Sequence, residues 1–427
     1  MTRQCWLLTI AFLICIGITL SAAKPRLLIV SLDGFRHEYL SQYSFPTLNR
    51  IQEQGVKTRH GMQPTFVTMT YPNHISIATG MYEEDHGIVH NRFFDTKLQK
   101  AITFGTGDEG QWSDPKVEPL WITATKQNKK AAVIHWPACH NEFHGIRPLA
   151  YTKVYSDAVP FREKIDQAID YFKNSSFDLA MIYHFEPDKQ GHVYGPDSIE
   201  TYTAIMRLDS DLNYLLIRVN KELDDDLNIM IVSDHGMANT TRIVQPFLEG
   251  YINQTAVETN MLDGPIFVLT PRPGYFNEVF NGLRRIPNVT VYKREDFPEK
   301  YHYAKASHRL GDIIVIPNGS DTMFSRALTT VVPSKGNHGY DNSIPSMQAI
   351  FMAMGPDFQQ HLTIDSLKNG DIYQIACHIL NLVPNPYATA GSLKNLTHIF
   401  RERNNQSSQL LINVSLIILL VLFTFIQ

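Results

Sequence analysis

Short apolar, β-branched runs recur at Leu27–Leu32, Ala131–His135, Leu179–Tyr183, Ile229–Val232, Ile266–Leu269, Ile313–Ile316 and Ala349–Met354. Between several of them apolar residues return at three- and four-residue spacing, most clearly over Phe161–Phe172 and Ile199–Leu223, which is the repeat of amphipathic helices. Strands alternating with helices predict an α/β fold with a mostly parallel central sheet covered by helices on both faces. No internal repeat or low-complexity linker breaks residues 24–400, so that span reads as one domain.

In such a sheet ligands bind beyond the carboxyl ends of the strands. Leu27–Leu32 runs into Asp33-Gly34-Phe35, Leu179–Tyr183 into His184-Phe185-Glu186-Pro187-Asp188, and Ile229–Val232 into Ser233-Asp234-His235-Gly236. Asp188 and His192 are four apart, on one face if the segment turns helically. His338 lies in the glycine-flanked loop Gly336-Asn337-His338-Gly339. Taken singly, each is an ordinary turn, helix cap or surface pair. Taken together, the carboxylates Asp33, Asp188 and Asp234 and the imidazoles His192, His235 and His338 make the oxygen-and-nitrogen set that zinc accepts. That set exceeds one tetrahedral site with an open position. It suits two ions, the arrangement that clamps the attacking and leaving oxygens of a phosphoryl displacement.

A site of that kind needs a nucleophile. The stretch Thr68-Met69-Thr70-Tyr71-Pro72-Asn73-His74 places hydroxyls ahead of a helix suggested by Ile75–Thr79. There the positive end of the helix dipole and unpaired N–H groups can hold a phosphoryl oxygen. A divalent cation makes an alkoxide accessible near neutral pH, so by chemistry alone Thr65, Thr68 and Thr70 are all candidates.

Composition narrows the setting. A chain of 427 residues with a formal charge of -4 and interspersed signs is globular and presents no nucleic-acid-binding surface. Residues 1–23, with Arg3, the apolar run Trp6–Leu20 and small residues up to Ala23, form a signal peptide. A polar stem over 401–408 leads to an apolar segment over 409–427, either a C-terminal membrane anchor or a glycolipid (GPI)-attachment signal. Both place the folded part on the extracellular face of the plasma membrane. Glycosylation sequons at Asn174, Asn239, Asn253, Asn288, Asn318, Asn395, Asn405 and Asn413 are compatible with that location. Beyond the signal peptide stand only Cys139 and Cys377, whose pairing the sequence leaves open.

The ordered motifs VSLDGFR, TYPNH, TGMYEEDHGIVHN, PDKQGHVYGP, SDHGM and NHGYDN resemble the nucleotide pyrophosphatase/phosphodiesterase ectoenzymes, from about Arg26 to Pro386. The resemblance implies an alkaline phosphatase-like fold, two zinc ions per chain, and hydrolysis of nucleotides such as ATP, ADP, NAD or dinucleoside polyphosphates to nucleoside 5′-monophosphates. It selects Thr70 as the nucleophile. It assigns Asp188, His192 and His338 to the first zinc, and Asp33, Asp234, His235 and Thr70 to the second. It gives Asn91 and the Thr70 backbone N–H to the charged transition state, and Tyr71 and Tyr155 to a nucleobase sandwich. YHFEPD departs from the family's more usual Tyr-Trp-Glu-x-Pro-Asp, and the loops over 134–160 are individual, which bears on substrate choice. No cysteine-rich or nuclease-like module flanks residues 24–400, as in the short members. A choline-head-group phosphodiesterase that recruits Glu186, Tyr155 and Tyr183 is the alternative activity. An inactive surface adhesion or signalling protein is the alternative of another class.

Overall fold

The computed structural model describes residues 24–103, 114–262, 264–332 and 334–402. The expected signal peptide, stem residues 403–408, the C-terminal apolar segment, and the sequons at Asn405 and Asn413 lie outside them. Among the described residues no helix is long and apolar enough to cross a membrane.

The main sheet has eight strands: β1 (Leu27–Leu32), β2 (Val56–Thr58), β3 (Ala131–Ile134), β4 (Ala150–Tyr151), β5 (Leu179–His184), β6 (Asn228–Val232), β7 (Phe351–Met354) and β8 (Leu362–Ile364). Their spatial order is β8-β2-β7-β6-β1-β5-β3-β4. Only β7 runs antiparallel to its neighbours, β6 and β2. The sheet is therefore mostly parallel, as the alternating pattern predicts.

Side chains of β1 alternate between two cores. Leu27 and Ile29 join one that includes residues of α2 (Thr70–Thr79), α3 (Leu120–Lys126) and α7 (Asp371–Leu380). Leu28, Val30 and Leu32 join the other, with residues of α1 (Pro46–Gln54), α4 (Phe161–Ser175) and α6 (Ile199–Leu223). Burial on both faces explains why the central strands read as unbroken apolar runs. In α4 the buried apolar residues are Phe161, Ile165, Ala168, Ile169 and Phe172, one stripe at helical spacing. Ser198 caps α6 by accepting the Thr201 N–H at 3.2 Å.

The expected strands near Ile266–Leu269 and Ile313–Ile316 do not belong to this sheet. They lie in a separate antiparallel one, ordered Val257–Leu262, Phe267–Pro271, Ile313–Pro317, Val289–Lys293. The step from Leu262 to Phe267 is too short for a crossover helix, so the chain turns back on itself. Phe267, Leu269, Ile313 and Val315 bury one face of this sheet against Val279 and Leu283 of the helix Phe276–Leu283. Cys139 and Cys377 are both buried free thiols, so no disulfide joins them.

Candidate active site

The carboxyl ends of β1, β5 and β6 converge as the sequence predicts. Asp33 follows β1 directly, and Asp234 and His235 follow β6 after one serine. Asp188 opens α5 (Asp188–Tyr194), and His192 stands one helical turn along it. Gly34, at φ 65°, allows this convergence: a Cβ there would lie 2.8 Å from the Asp188 Cα.

Each of the three imidazoles has its Nδ1 against a backbone carbonyl: His192 against Gly336 O at 2.8 Å, His235 against Gly236 O at 2.8 Å, and His338 against Thr68 O at 2.9 Å. A carbonyl only accepts, so Nδ1 carries the proton and the Nε2 lone pair is left to ligate. All three Nε2 atoms meet carboxylates. His235 Nε2 lies 2.9 Å from Asp234 Oδ2 and 3.4 Å from Asp33 Oδ1. His192 Nε2 and His338 Nε2 each lie 3.4 Å from an Asp188 oxygen and 3.1 Å from one another. The His235 and His338 rings stack at 3.5 Å.

Two groups of this cluster have geometry able to hold an ion, Asp33 with Asp234 and His235, and Asp188 with His235 and His338. A cation fits both. Asp33 Oδ1, Asp188 Oδ1 and Asp234 Oδ2 are buried and accept no hydrogen bond, a costly state for carboxylates unless a cation compensates. Burial, then Asp234 and Asp188, push the Asp33 carboxyl well above its ordinary range, and burial raises Asp188 against the opposing pull of His192 and His235. Burial, then His235 and His192, hold His338 well below its ordinary value. Burial works against the Asp234 charge, but the neighbouring His235 and His74 side chains hold its carboxyl below the ordinary carboxylate range.

The three candidate threonines separate cleanly. The Thr65 hydroxyl is committed to Asn73, Ser76 and Glu83, and that of Thr68 donates to Tyr340 O at 3.0 Å. Thr70 opens α2, and its Oγ1 lies 3.3 Å from His235 Nε2. The residue before it, Met69, is extended and gives the helix no side-chain cap. Asn91 Oδ1 accepts the Tyr71 N–H at 2.7 Å, which commits the amide oxygen and leaves its NH2 as a donor.

Tyr71, the second residue of α2, is 3 % exposed and belongs to the core. Tyr155 is half-buried, donates to Asp157 Oδ1 at 2.5 Å, and lies 5.9 Å ring to ring from Tyr183. Tyr183 donates to Asp33 Oδ2 at 2.5 Å, and Glu186 accepts from Gln190 Nε2 at 2.8 Å. Two site residues escaped the sequence reading as ligand supports: Tyr183, and His74, which sits beside Asp234. Each has a local signal: Tyr183 lies at the carboxyl end of β5, just ahead of the segment that leads to Asp188, and His74 follows Thr70 by four residues, about one helical turn.

Residues 27–341 match the family model described as type I phosphodiesterase/nucleotide pyrophosphatase. Family member 7 of the rat ectonucleotide pyrophosphatase/phosphodiesterases is 33% identical over 376 residues, 85% of this chain and 85% of that protein. The cattle protein named bis(5′-adenosyl)-triphosphatase is 34% identical over 378 residues, 87% of this chain and 82% of the relative. Among solved structures, an inactive threonine-to-alanine variant of mouse family member 5 in complex with AMP superposes with a TM-score of 0.82 at 31% identity, covering 88% of this chain and 100% of that one. This chain belongs to the type I phosphodiesterase/nucleotide pyrophosphatase family, has its alkaline phosphatase-like fold, and is a hydrolase of phosphodiester bonds.

Proposed function

We propose that the chain is an extracellular two-zinc nucleotide pyrophosphatase/phosphodiesterase that releases nucleoside 5′-monophosphates through a covalent phosphothreonine. The carrying observation is the 3.3 Å approach of Thr70 Oγ1 to His235 Nε2, the imidazole shared by both candidate metal groups. Asp33, Asp234, His235 and Thr70 would hold one ion, and Asp188, His192 and His338 the other. When bound, the ions supply Lewis-acid polarisation and neutralise charge on the oxygens of the transferring phosphoryl group.

The Thr70 oxygen attacks phosphorus as its proton passes through solvent to the leaving oxygen, and the bond from phosphorus to that oxygen breaks. That oxygen leaves with the rest of the substrate. Water then attacks the same phosphorus, breaks its bond to Thr70 and returns a proton to the hydroxyl. The Asn91 NH2 and the Thr70 N–H donate to the oxygen that gains charge in each step. Tyr155, and Tyr71 if its ring becomes uncovered, stack on the base, a contact worth about 1–3 kcal/mol that discriminates little between bases. The mouse relative's complex with AMP and the cattle relative's name favour purine nucleotides and dinucleoside polyphosphates. Residues 409–427 are assigned to membrane attachment, by a span or a glycolipid.

Parallel assays with bis(5′-adenosyl) triphosphate, p-nitrophenyl thymidine monophosphate and p-nitrophenyl phosphorylcholine test the reading. Zinc-dependent cleavage of the two nucleotide substrates is expected, with AMP as a product of the first. Cleavage of the choline ester alone would replace the nucleotide reading, and cleavage of none would remove it.

A further inference from the structure

We propose that His74 is a positioning residue that sets the distance between the Thr70 nucleophile and the metal-ligating end of β1, which rests on the assignment of Thr70 above. Its ring is fully buried, with Trp136 and Tyr183 meeting it edge-on at 5.0 Å and 4.9 Å between centroids. Trp136 Nε1 also donates to the His74 carbonyl at 3.2 Å, so backbone and ring are both held.

The hydrogen bonds of the ring fix its tautomer. Nδ1 lies 2.8 Å from the Thr70 carbonyl oxygen, which can only accept. Nδ1 therefore carries the proton, and Nε2 accepts from the Ser31 hydroxyl at 2.8 Å. Ser31 stands two residues before Asp33 in β1. The Nδ1 edge also lies 3.4 Å from Asp234 Oδ2. One buried ring thus touches the peptide of the nucleophile, the strand that ends in Asp33, and Asp234 itself. An error of about 1 Å in the placement of a reacting group can cost on the order of 10²-fold in rate. A brace between α2 and β1 prevents that error.

The test measures kcat, KM, zinc affinity by competition with a chromophoric chelator, and melting temperature on the full chain for His74→Leu, His74→Asn and Ser31→Ala. His74→Leu removes both ends of the brace and is expected to lower kcat by on the order of 10²-fold, with KM little changed. Its zinc affinity is expected to fall by roughly 10–100-fold. His74→Asn places an amide NH2 near the Nδ1 position and is expected to recover about tenfold of the lost kcat, within the range that hydrogen-bond partners of metal-ligating groups command. Ser31→Ala keeps the Thr70 end and is expected to fall between His74→Asn and wild type.

A ring that only fills space predicts lower melting temperatures with unchanged kcat per zinc-loaded chain, or equal kcat losses for Leu and Asn; either result overturns the proposal. Should His74→Leu fail to fold, His74→Asn and Ser31→Ala still give the kcat and zinc readouts. Wild-type chain that cleaves no phosphodiester would instead remove the functional reading. The order of zinc affinities among the variants would then still report whether the brace exists.

Discussion

The two proposed ligand sets are built on different supports. Asp33, Asp234 and His235 have side chains 3%, 0% and 0% exposed, at the ends of the adjacent parallel strands β1 and β6. Asp188, His192 and His338 are 15%, 30% and 3% exposed, on the short helix α5 and a loop. The first set cannot shift without disturbing the centre of the sheet. The second is partly open to water through His192 and Asp188, and it rests on a short helix and a loop instead of central strands. An ion in the strand-end set should therefore exchange slowly and fix the nucleophile, while one in the helix-and-loop set should exchange faster and sit where water and leaving group pass.

The largest expected effect is at the nucleophile. Thr70→Ala should lower kcat by on the order of 10⁴-fold or more while metal analysis still finds both ions. Retained turnover would detach the strand-end set from the chemistry. Asn91→Ala comes next, with a loss of about 10²–10³-fold in kcat and a small change in KM. His192→Ala should weaken one ion selectively by at least about tenfold, and added zinc should restore much of the activity. Asp234→Asn should resist that rescue. If zinc rescues both variants equally, the contrast between the sets fails.

The smallest effect is on stability at acid pH. Burial lowers His184 to about 3 and His135 to about 4, below the ordinary imidazole value of 6.5 in an unfolded chain. Between those folded values and 6.5 the unfolded state binds more protons, so stability falls as pH falls through that window. Melting temperature should drop from pH 7 towards pH 4. His184→Phe, which keeps the ring stacked on Phe161, should flatten the slope. An unchanged slope would show that other groups dominate.

The sequence makes the candidate site legible because its carboxylates and imidazoles follow strand ends directly. Asp33, Asp188, Asp234 and His235 stand within five residues of apolar runs that suit a doubly covered sheet. The helices Phe161–Ser175 and Ile199–Leu223 were equally clear, since their apolar stripes span several turns. The second sheet was not. Phe267–Pro271 and Ile313–Pro317 are apolar runs like those of the main sheet, and local sequence does not say which strand pairs with which. Thr65, Thr68 and Thr70 carry the same hydroxyl, and only folding shows that two are consumed by internal hydrogen bonds. Tyr183 and His74 stayed hidden as supports for a related reason. A tyrosine in a strand and a histidine in a helix are ordinary core residues until their partners, Asp33, Ser31 and Thr70, are known.

Anomalous diffraction at the zinc edge from crystals of the full chain tests the central claim most directly. The account predicts two peaks: one within coordination distance of Asp33, Asp234, His235 and Thr70 Oγ1, and one within coordination distance of Asp188, His192 and His338. A single peak, peaks elsewhere, or a Thr70 hydroxyl turned away from both would contradict it.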